Sequence, residues 1–473
     1  ADLRVAPRTV RVKREPVERE GEGYGLGPLA AQKIVDEGCK VLVTVDNGVS
    51  AHEAIALATA AGIDVVVTDH HLLPESLPAP FALVTPRLAP DDGEWAPLAG
   101  VGVAFAFAMG LRRELLRRGR PRESLPNLAE LLDLVAIGTV ADCVPLTGVN
   151  RILVAHGLKR LAWGERAGTA ALMRAAGVDP GAVDAADVAF SLAPRLNAAG
   201  RMGSAMRGLS LLLTDDRQEA ASLADELEGE NRARKELQER TCDEALARLD
   251  PEQVARDRIA VVGGEGWKSG IVGIVASRLV ERFGVPAVVV AFDGDGPGRG
   301  SARSLPGFDI AAALAQGADL LAGHGGHAMA AGLSVERERF APFSRRMAEV
   351  AAARLAGADL SPVIFADATV DPARFDLPLI GALARLGPFG EGNRAPRFVA
   401  DGASVSRVSP VGREGRHVRL TLAGGGAEAI GFHMADRVAG PGRYDLLFEP
   451  GVNRFNGTVR PQLRLVDLRP AGG

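Results

Sequence analysis

Asp69, His70 and His71 follow directly on the run Val65-Val66-Val67-Thr68, so one carboxylate and two imidazoles end a stretch of β-branched residues. Carboxylate oxygens and neutral imidazole nitrogens together suit a transition metal such as Mn²⁺, Fe²⁺ or Zn²⁺. Alone, the triplet fits a hydrogen-bonded loop equally well. The same arrangement occurs one unit earlier, where Val41-Leu42-Val43-Thr44-Val45 runs into Asp46-Asn47-Gly48. A third acid, Asp142, follows the apolar segment 131–140.

These residues need elements that hold them on one rim. Residues 41–45 and 65–68 read as buried strands, and residues 51–61 between them as a helix capped by Ser50 and closed by Gly62. A βαβ unit of this kind has a right-handed crossover and parallel strands. Asp46 and Asp69 then leave the same sheet edge, where ligands bind in open α/β sheets. Adjacent strands lie ~4.8 Å apart, close enough for two carboxylates to share metal ions. Asp142, taken without the other two acids, reads as a helix-end or turn residue.

The ordered series V-D-N-G, T-D-H-H and G-T-V-A-D-x-x-P-L resembles successive motifs of the DHH phosphoesterase superfamily. Ala193-Pro194-Arg195-Leu196-Asn197-Ala198-Ala199-Gly200-Arg201-Met202-Gly203 resembles the next signature of its RecJ branch, the single-strand-specific exonucleases. So do the segment 266–279 (G-W-K-S-G-I-V-G-I-V-A-S-R-L), Gly300-Ser301-Ala302-Arg303-Ser304, and Gly325-Gly326-His327 with the residues to Gly332, the last belonging to a DHHA1 domain. The similarity runs in order from about Gly23 to the C-terminus. One segment departs from it. RecJ-like chains carry a D-x-D-A-D-G motif ahead of E-G-Y-G-L, whereas the acids before Glu22 are only Asp2, Glu15, Glu18 and Glu20. A shortened chain, a shifted reading frame or true divergence would each account for this. The expectation is a severe loss of activity in this chain with the fold retained.

The resemblance implies phosphodiester hydrolysis with two Mn²⁺ or Mg²⁺ ions. It makes Asp46 a bridging carboxylate, Asp142 a terminal ligand and His70 the imidazole ligand. Asp69 ligates or orients a histidine, and His71 binds the scissile phosphate or donates a supporting hydrogen bond. Mn²⁺ is favoured because imidazole prefers the softer ion. Gly325, Gly326 and His327 look like a phosphate-binding turn, since glycine lets backbone N–H groups approach an anion. Ser301, Arg303 and Ser304 offer the donors of a terminal 5′-phosphate pocket, or form a polar strand end. Arg195, Asn197 and Arg201 lie in a turn suited to backbone phosphates, or dock a long helix. Arg278 either contacts DNA or snorkels from a helix. Lys268 stands where the family pattern usually has histidine.

At 473 residues the chain needs about three domains, and 47% hydrophobic with 24% charged content supports packed cores. We expect an α/β protein. A parallel-sheet DHH domain spans residues 1–192 (1–21 atypical), and a connecting motif with a long helix 193–255. A DHHA1 domain covers 256–360 and an OB-fold β-barrel 361–473. The helix at 215–249 would be interrupted at most at Gly229. Of the aromatics, Phe389, Phe432 and Phe455 read mainly as barrel core, while Trp267 and Tyr24 flank motifs and could line a groove. Net charge of −4 excludes a globally basic DNA coater, so any nucleic-acid site is local. Three scattered cysteines form no disulfide framework or C-x-x-C site. With no apolar run near the ~20 residues of a span, the chain reads as cytoplasmic. The reading that results is a 5′-to-3′ exonuclease on single-stranded DNA, releasing mononucleotides in recombination and repair. A single-strand-binding protein and a repair helicase are its implied partners. The alternatives are a DHH-type oligoribonuclease or cyclic-dinucleotide phosphodiesterase, and a noncatalytic DNA-binding scaffold.

Overall fold

The computed structural model describes residues 25–88, 93, 95–202, 205–294, 296–361, 363–412, 415–424, 427–455 and 458–472, with backbone alone at 201, 202 and 455. The expectations on residues 1–24, including the departing first motif and Tyr24, lie outside them. The chain divides into two compact units, one of residues 194–363 and one of residues 20–193 with 364–473.

The second unit begins with α1 (Pro28–Asp36), β1 (Val41–Val45), α2 (His52–Ala60), β2 (Asp64–Thr68) and β3 (Ala82–Val84). Proline at the first position of α1 has no N–H to leave unpaired. Ser50 does not cap α2; Ala51 holds the N-cap position without a side-chain hydrogen bond. The sheet order is β1-β2-β3, all parallel, with Val41 opposite Asp64 and Val45 opposite Thr68. Asp46 and Asp69 are therefore each one residue beyond paired strand ends, and the Asp46 N–H donates to Thr68 O at 2.9 Å. Val65 and Val67 of β2 bury against Ala54, Ile55 and Ala58 of α2 and Ala31 of α1.

Next come α3 (Gly100–Arg117), α4 (Leu132–Ala141), α5 (Gly148–Trp163), α6 (Ala167–Ala176) and the short α7 (Ala185–Asp187), followed by a π-helical turn at Val188–Leu192. The 20-residue stretch Arg122–Ala141 is apolar enough by composition to cross a membrane. Its regular core, α4, has only ten residues, roughly 15 Å, and packs between α3 and α5. Asp142 is its C-cap residue.

The first unit contains α8 (Ala193–Met202), α9 (Met206–Leu213), α10 (Arg217–Arg248) and α11 (Pro251–Asp257). Residues 195–201, expected as a turn, are helical: Pro194 sits in the first turn, where its missing N–H costs nothing. Helix α10 runs 32 residues through Gly229 without a break, with the Asp216 carboxylate accepting from the Gln218 and Glu219 N–H groups. Then follow β4 (Ala260–Glu265), α12 (Ser269–Phe283), β5 (Ala287–Phe292), β6 (Gly298–Arg303), α13 (Ile310–Ala315), β7 (Gly323–His327), β8 (Ala330–Val335) and α14 (Arg337–Arg354). The sheet order is β4-β5-β6-β8-β7. Gly325, Gly326 and His327, expected as a turn, are the end of strand β7 and pair with β8. Trp267 is core, buried with its Nε1 donating to Glu244 Oε2 at 2.8 Å, and does not line a groove.

The chain returns to the second unit with β9 (Ala368–Thr369), α15 (Leu377–Ala384), β10 (Phe398–Val411), β11 (His417–Leu422), β12 (Glu428–Gly431), β13 (Gly442–Phe455) and β14 (Thr458–Pro470). Strands β11-β12-β14-β13-β10 follow one another, and β10 also pairs with β11, which closes a five-stranded barrel of OB type. Phe375, Phe398 and Phe448 meet in its core. Phe432, expected in that core, is 52% exposed. The segment before the barrel is joined to α5 and to the loop that precedes it. The Leu146 N–H donates to Glu391 O at 2.7 Å, and Arg151 Nη2 donates to Leu386 O and Gly387 O at 3.0 and 3.1 Å.

Candidate metal centre and phosphate-binding residues

Asp46 adopts a left-handed backbone (φ 62°) that turns the chain sharply at the end of β1. The left-handed region disfavours most residues but tolerates aspartate. Thr44 Oγ1 donates to Asn47 O, and Thr68 Oγ1 to Thr44 O, tying the two strand ends together. His70 then stands between two carboxylates, with its Nε2 3.1 Å from Asp46 Oδ1 and 3.3 Å from Asp142 Oδ2. That nitrogen is buried and makes no well-formed hydrogen bond. The Asp46 carboxylate raises the His70 imidazole above its ordinary pKa, outweighing burial, and Asp142 adds to the effect. Burial raises Asp142 as well, with Asp46 repelling its charge and His70 opposing.

Asp69 behaves differently. It is 1% exposed, its Oδ2 accepts from the Val49 N–H at 3.0 Å, and its Oδ1 accepts from the His70 and His71 N–H groups. Its Oδ1 also lies 2.6 Å from His71 Nδ1. Burial alone would raise the Asp69 pKa; the hydrogen bonds from Val49 and His71 overrule it and lower it. Of the two readings of Asp69, metal ligand or orienter of a histidine, the geometry favours the second, since both oxygens accept from protein donors. A carboxylate at Nδ1 holds that nitrogen as the donor and leaves Nε2 with its lone pair. One ligand atom each of Asp46, His70 and His71 lie within 4.8 Å of one another, a spacing that fits a metal ion. An imidazole nitrogen without a hydrogen bond, set among carboxylate oxygens, fits Mn²⁺ or Mg²⁺, with nitrogen favouring the softer ion. Sequence reasoning missed Arg87, whose Nε donates to His70 O at 3.2 Å. No local pattern marks it, because the contact depends on the loop after β3.

In the other unit, Ser301 of β6 and Gly325 of β7 both pair with Gly332 of β8, and Arg303 and His327 both pair with Ala330. Paired positions of adjacent strands face the same way, so Arg303 and His327 share one sheet face, roughly 10 Å apart. Helix α12 crosses there: a Cβ on Gly273 would lie 2.9 Å from Arg303 Nη2 and 3.1 Å from Ser301 Oγ. Arg303 Nη1 donates to Ser301 Oγ and Ala302 O, and no acid pairs with it among the described residues. Burial pushes its guanidinium pKa down. A half-buried cation without a counter-charge is suited to an anionic ligand. Gly326 has φ 143°, and a Cβ there would meet Ala330 O at 2.5 Å, so only glycine fits. Ser304 is buried with its Oγ donating to Phe308 O at 2.6 Å, which leaves it spent on the loop. Arg195 is buried on α8 with its Nε 2.6 Å from Glu228 Oε2 on α10, the docking arrangement foreseen as its second reading. Asn197 and Arg278 are exposed, Arg278 beside Cys242. The Arg201 side chain is outside the description. Lys268 pairs with Asp293 at 2.8 Å.

Comparison with known proteins shows the family. The family model "DHH family, N-terminal domain" matches residues 5–139, "DHHA1 domain" residues 256–353 and "RecJ OB domain" residues 366–467. The single-stranded-DNA-specific exonucleases RecJ of Salmonella typhimurium and Escherichia coli are each 38% identical, over 95% of this chain and 80% of theirs. The crystal structure of RecJ in complex with Mn²⁺ from Thermus thermophilus superposes with TM-score 0.80 at 32% identity. It covers 94% of this chain, which spans 64% of that one, just under two thirds. The Mg²⁺ complex from the same organism gives TM-score 0.72 at 30% identity, over 94% of this chain and 70% of that one. Three matched domains, and identity to these relatives along nearly its whole length, make the chain a member of the RecJ family of single-stranded-DNA-specific exonucleases.

Proposed function

We propose that this chain removes 5′-mononucleotides from the 5′ end of single-stranded DNA, with Asp46, His70 and Asp142 holding the divalent ion. The observation that carries the residue assignment is the buried His70 Nε2 without a hydrogen bond, facing Asp46 and Asp142 at 3.1 and 3.3 Å. Mn²⁺ or Mg²⁺ in such a site supplies an acidified water and positive charge to offset the leaving oxygen. Asp69 orients His71 through Nδ1, and His71 Nε2 would serve the scissile phosphate. Water adds to the phosphorus between the first two nucleotides. The bond to the 3′ oxygen of the first nucleotide breaks, and that oxygen takes a proton. Arg303, Ser301 and His327, on one sheet face, receive the terminal 5′-phosphate, and Arg195 acts by fixing α8 to α10.

Among the described residues, the acids at this rim are Asp46, Asp69 and Asp142. A single-strand-binding protein and a repair helicase are proposed partners. A reducing, cytoplasmic setting suits its three unpaired cysteines. The test follows 5′- and 3′-labelled single-stranded DNA with Mn²⁺, against duplex DNA and an Asp142→Ala variant. Mononucleotides released from the 5′ end of single strands alone, and lost in the variant, support the reading. Tight binding without any cleavage would leave the scaffold alternative.

A further inference from the structure

Glycine weakens a helix, so two glycines in the first turn of α3 call for a physical reason. For Gly100 the reason is Asp46. A Cβ built on Gly100 would lie 2.1 Å from Asp46 Oδ1, 2.4 Å from Cγ and 2.6 Å from Cβ. The first two atoms could rotate away, but the Cβ is fixed to the backbone, and that backbone is held at φ 62° and by the Thr68 carbonyl. The next residue of the same turn reaches the other carboxylate's helix. A Cβ on Gly138 of α4 would lie 2.7 Å from Val101 Cγ1 and 2.9 Å from its Cβ. The Gly138 carbonyl accepts from the Asp142 N–H at 3.0 Å. One helical turn thus abuts the side chain of Asp46 and the turn of α4 that ends in Asp142.

We infer that Gly100 is a positioning residue of the metal centre: with Val101 it forms a spacer that sets Asp46 and Asp142 on either side of His70. The inference rests on the metal reading above for its purpose, but its steric content stands apart from it. Adding one methyl group at position 100 pushes Asp46 off the rim while leaving every proposed ligand in the sequence.

The experiment is a stability cycle and a binding measurement on the full chain. Melting temperatures are taken without metal for wild type, Gly100→Ala, Asp46→Gly and the double variant. Asp46→Gly removes all three colliding atoms and suits the left-handed backbone. Gly100→Ala is expected to lower the melting temperature in the wild-type background and not to lower it in the Asp46→Gly background. An equal penalty in both backgrounds, or a double variant that fails to fold when Asp46→Gly folds, would overturn the contact. Mn²⁺ affinity, read by electron paramagnetic resonance of the free ion, should fall about 10–100-fold in Gly100→Ala, the usual range for losing a support of a metal ligand. At Gly102 the three atoms nearest an added Cβ all belong to the Leu98 side chain, so Gly102→Ala should lower stability without lowering Mn²⁺ affinity. Gly110→Ala meets nothing, and should change neither for the worse. Equal losses of affinity in Gly100→Ala and Gly102→Ala would refute a specific positioning role. Wild type that binds no Mn²⁺ would remove the metal reading, while the stability cycle would still report on the contact.

Discussion

In the proposed site a proton and a divalent metal would compete for the space beside His70 Nε2, which faces the carboxylates of Asp46 and Asp142. His70→Ala removes the nitrogen and leaves Asp46 and Asp142 facing each other. We expect Mn²⁺ affinity to fall by at least about 100-fold and DNA hydrolysis to vanish, with the far-ultraviolet circular dichroism unchanged. Asp69→Asn keeps the volume but weakens the acceptor that receives three donors near His70 and His71. Mn²⁺ affinity should drop about 10–100-fold, measured by titration calorimetry; an unchanged affinity would remove Asp69 from the site. Asp46, His70 and Asp142 were legible in the sequence because strand and helix ends deliver their side chains to one rim. Which of its two readings Asp69 follows was not, because that is set by the Val49 N–H and a loop geometry that no spacing encodes. Gly100 was invisible for a similar reason: its partner is Asp46, in another element, and only the tertiary approach of α3 joins them.

At the scale of elements, pattern was most reliable where period and composition agreed. The strand at Val41–Val45 emerged with the residues expected, since continuous β-branched runs have few other uses, but Val41, Val43 and Val45, read as buried, are exposed. Glycine-rich signatures misled. Ala193–Met202 is a helix and Gly323–His327 a strand, because burial of their neighbours overrides glycine's preference for turns. Gly229 in α10 is the same lesson in reverse: the helix runs through it, and an added Cβ would meet nothing. Gly229→Ala should therefore stabilise by about 0.5–1 kcal/mol, seen as a higher midpoint in urea. In the barrel, burial alone would raise Glu449, but Arg464 and Arg397 overrule it and hold the carboxyl below 4.5. A depressed carboxyl adds stability above its unfolded pKa and loses it as pH falls through the folded one. Glu449→Gln should cost about 1–3 kcal/mol at pH 7. That difference should shrink toward zero on acidification below 4.5. A difference constant from pH 7 to 3 would show that charge is not the cause.

At the scale of the molecule, the chain builds two units with separate cores, and only one carries the His70 site. A ligand that binds only the native state stabilises it by about 2.7 kcal/mol at a hundredfold excess over its dissociation constant. Mn²⁺ should accordingly slow hydrogen exchange in peptides of residues 25–193 and leave residues 205–361 largely unaffected, and chelation should reverse it. Protection spread equally over both units would argue that the ion binds elsewhere. The order of the units along the chain has a temporal consequence. The unit with the proposed metal rim starts the described chain, is interrupted by the other unit, and is completed only by the barrel. The Leu146 N–H, four residues beyond Asp142, finds its acceptor on Glu391, about 245 residues later. At roughly 5–20 residues per second of synthesis, a nascent chain spends on the order of ten to fifty seconds with that amide unanswered. During translation, the loop beside the metal rim waits for a partner that the ribosome has not yet made.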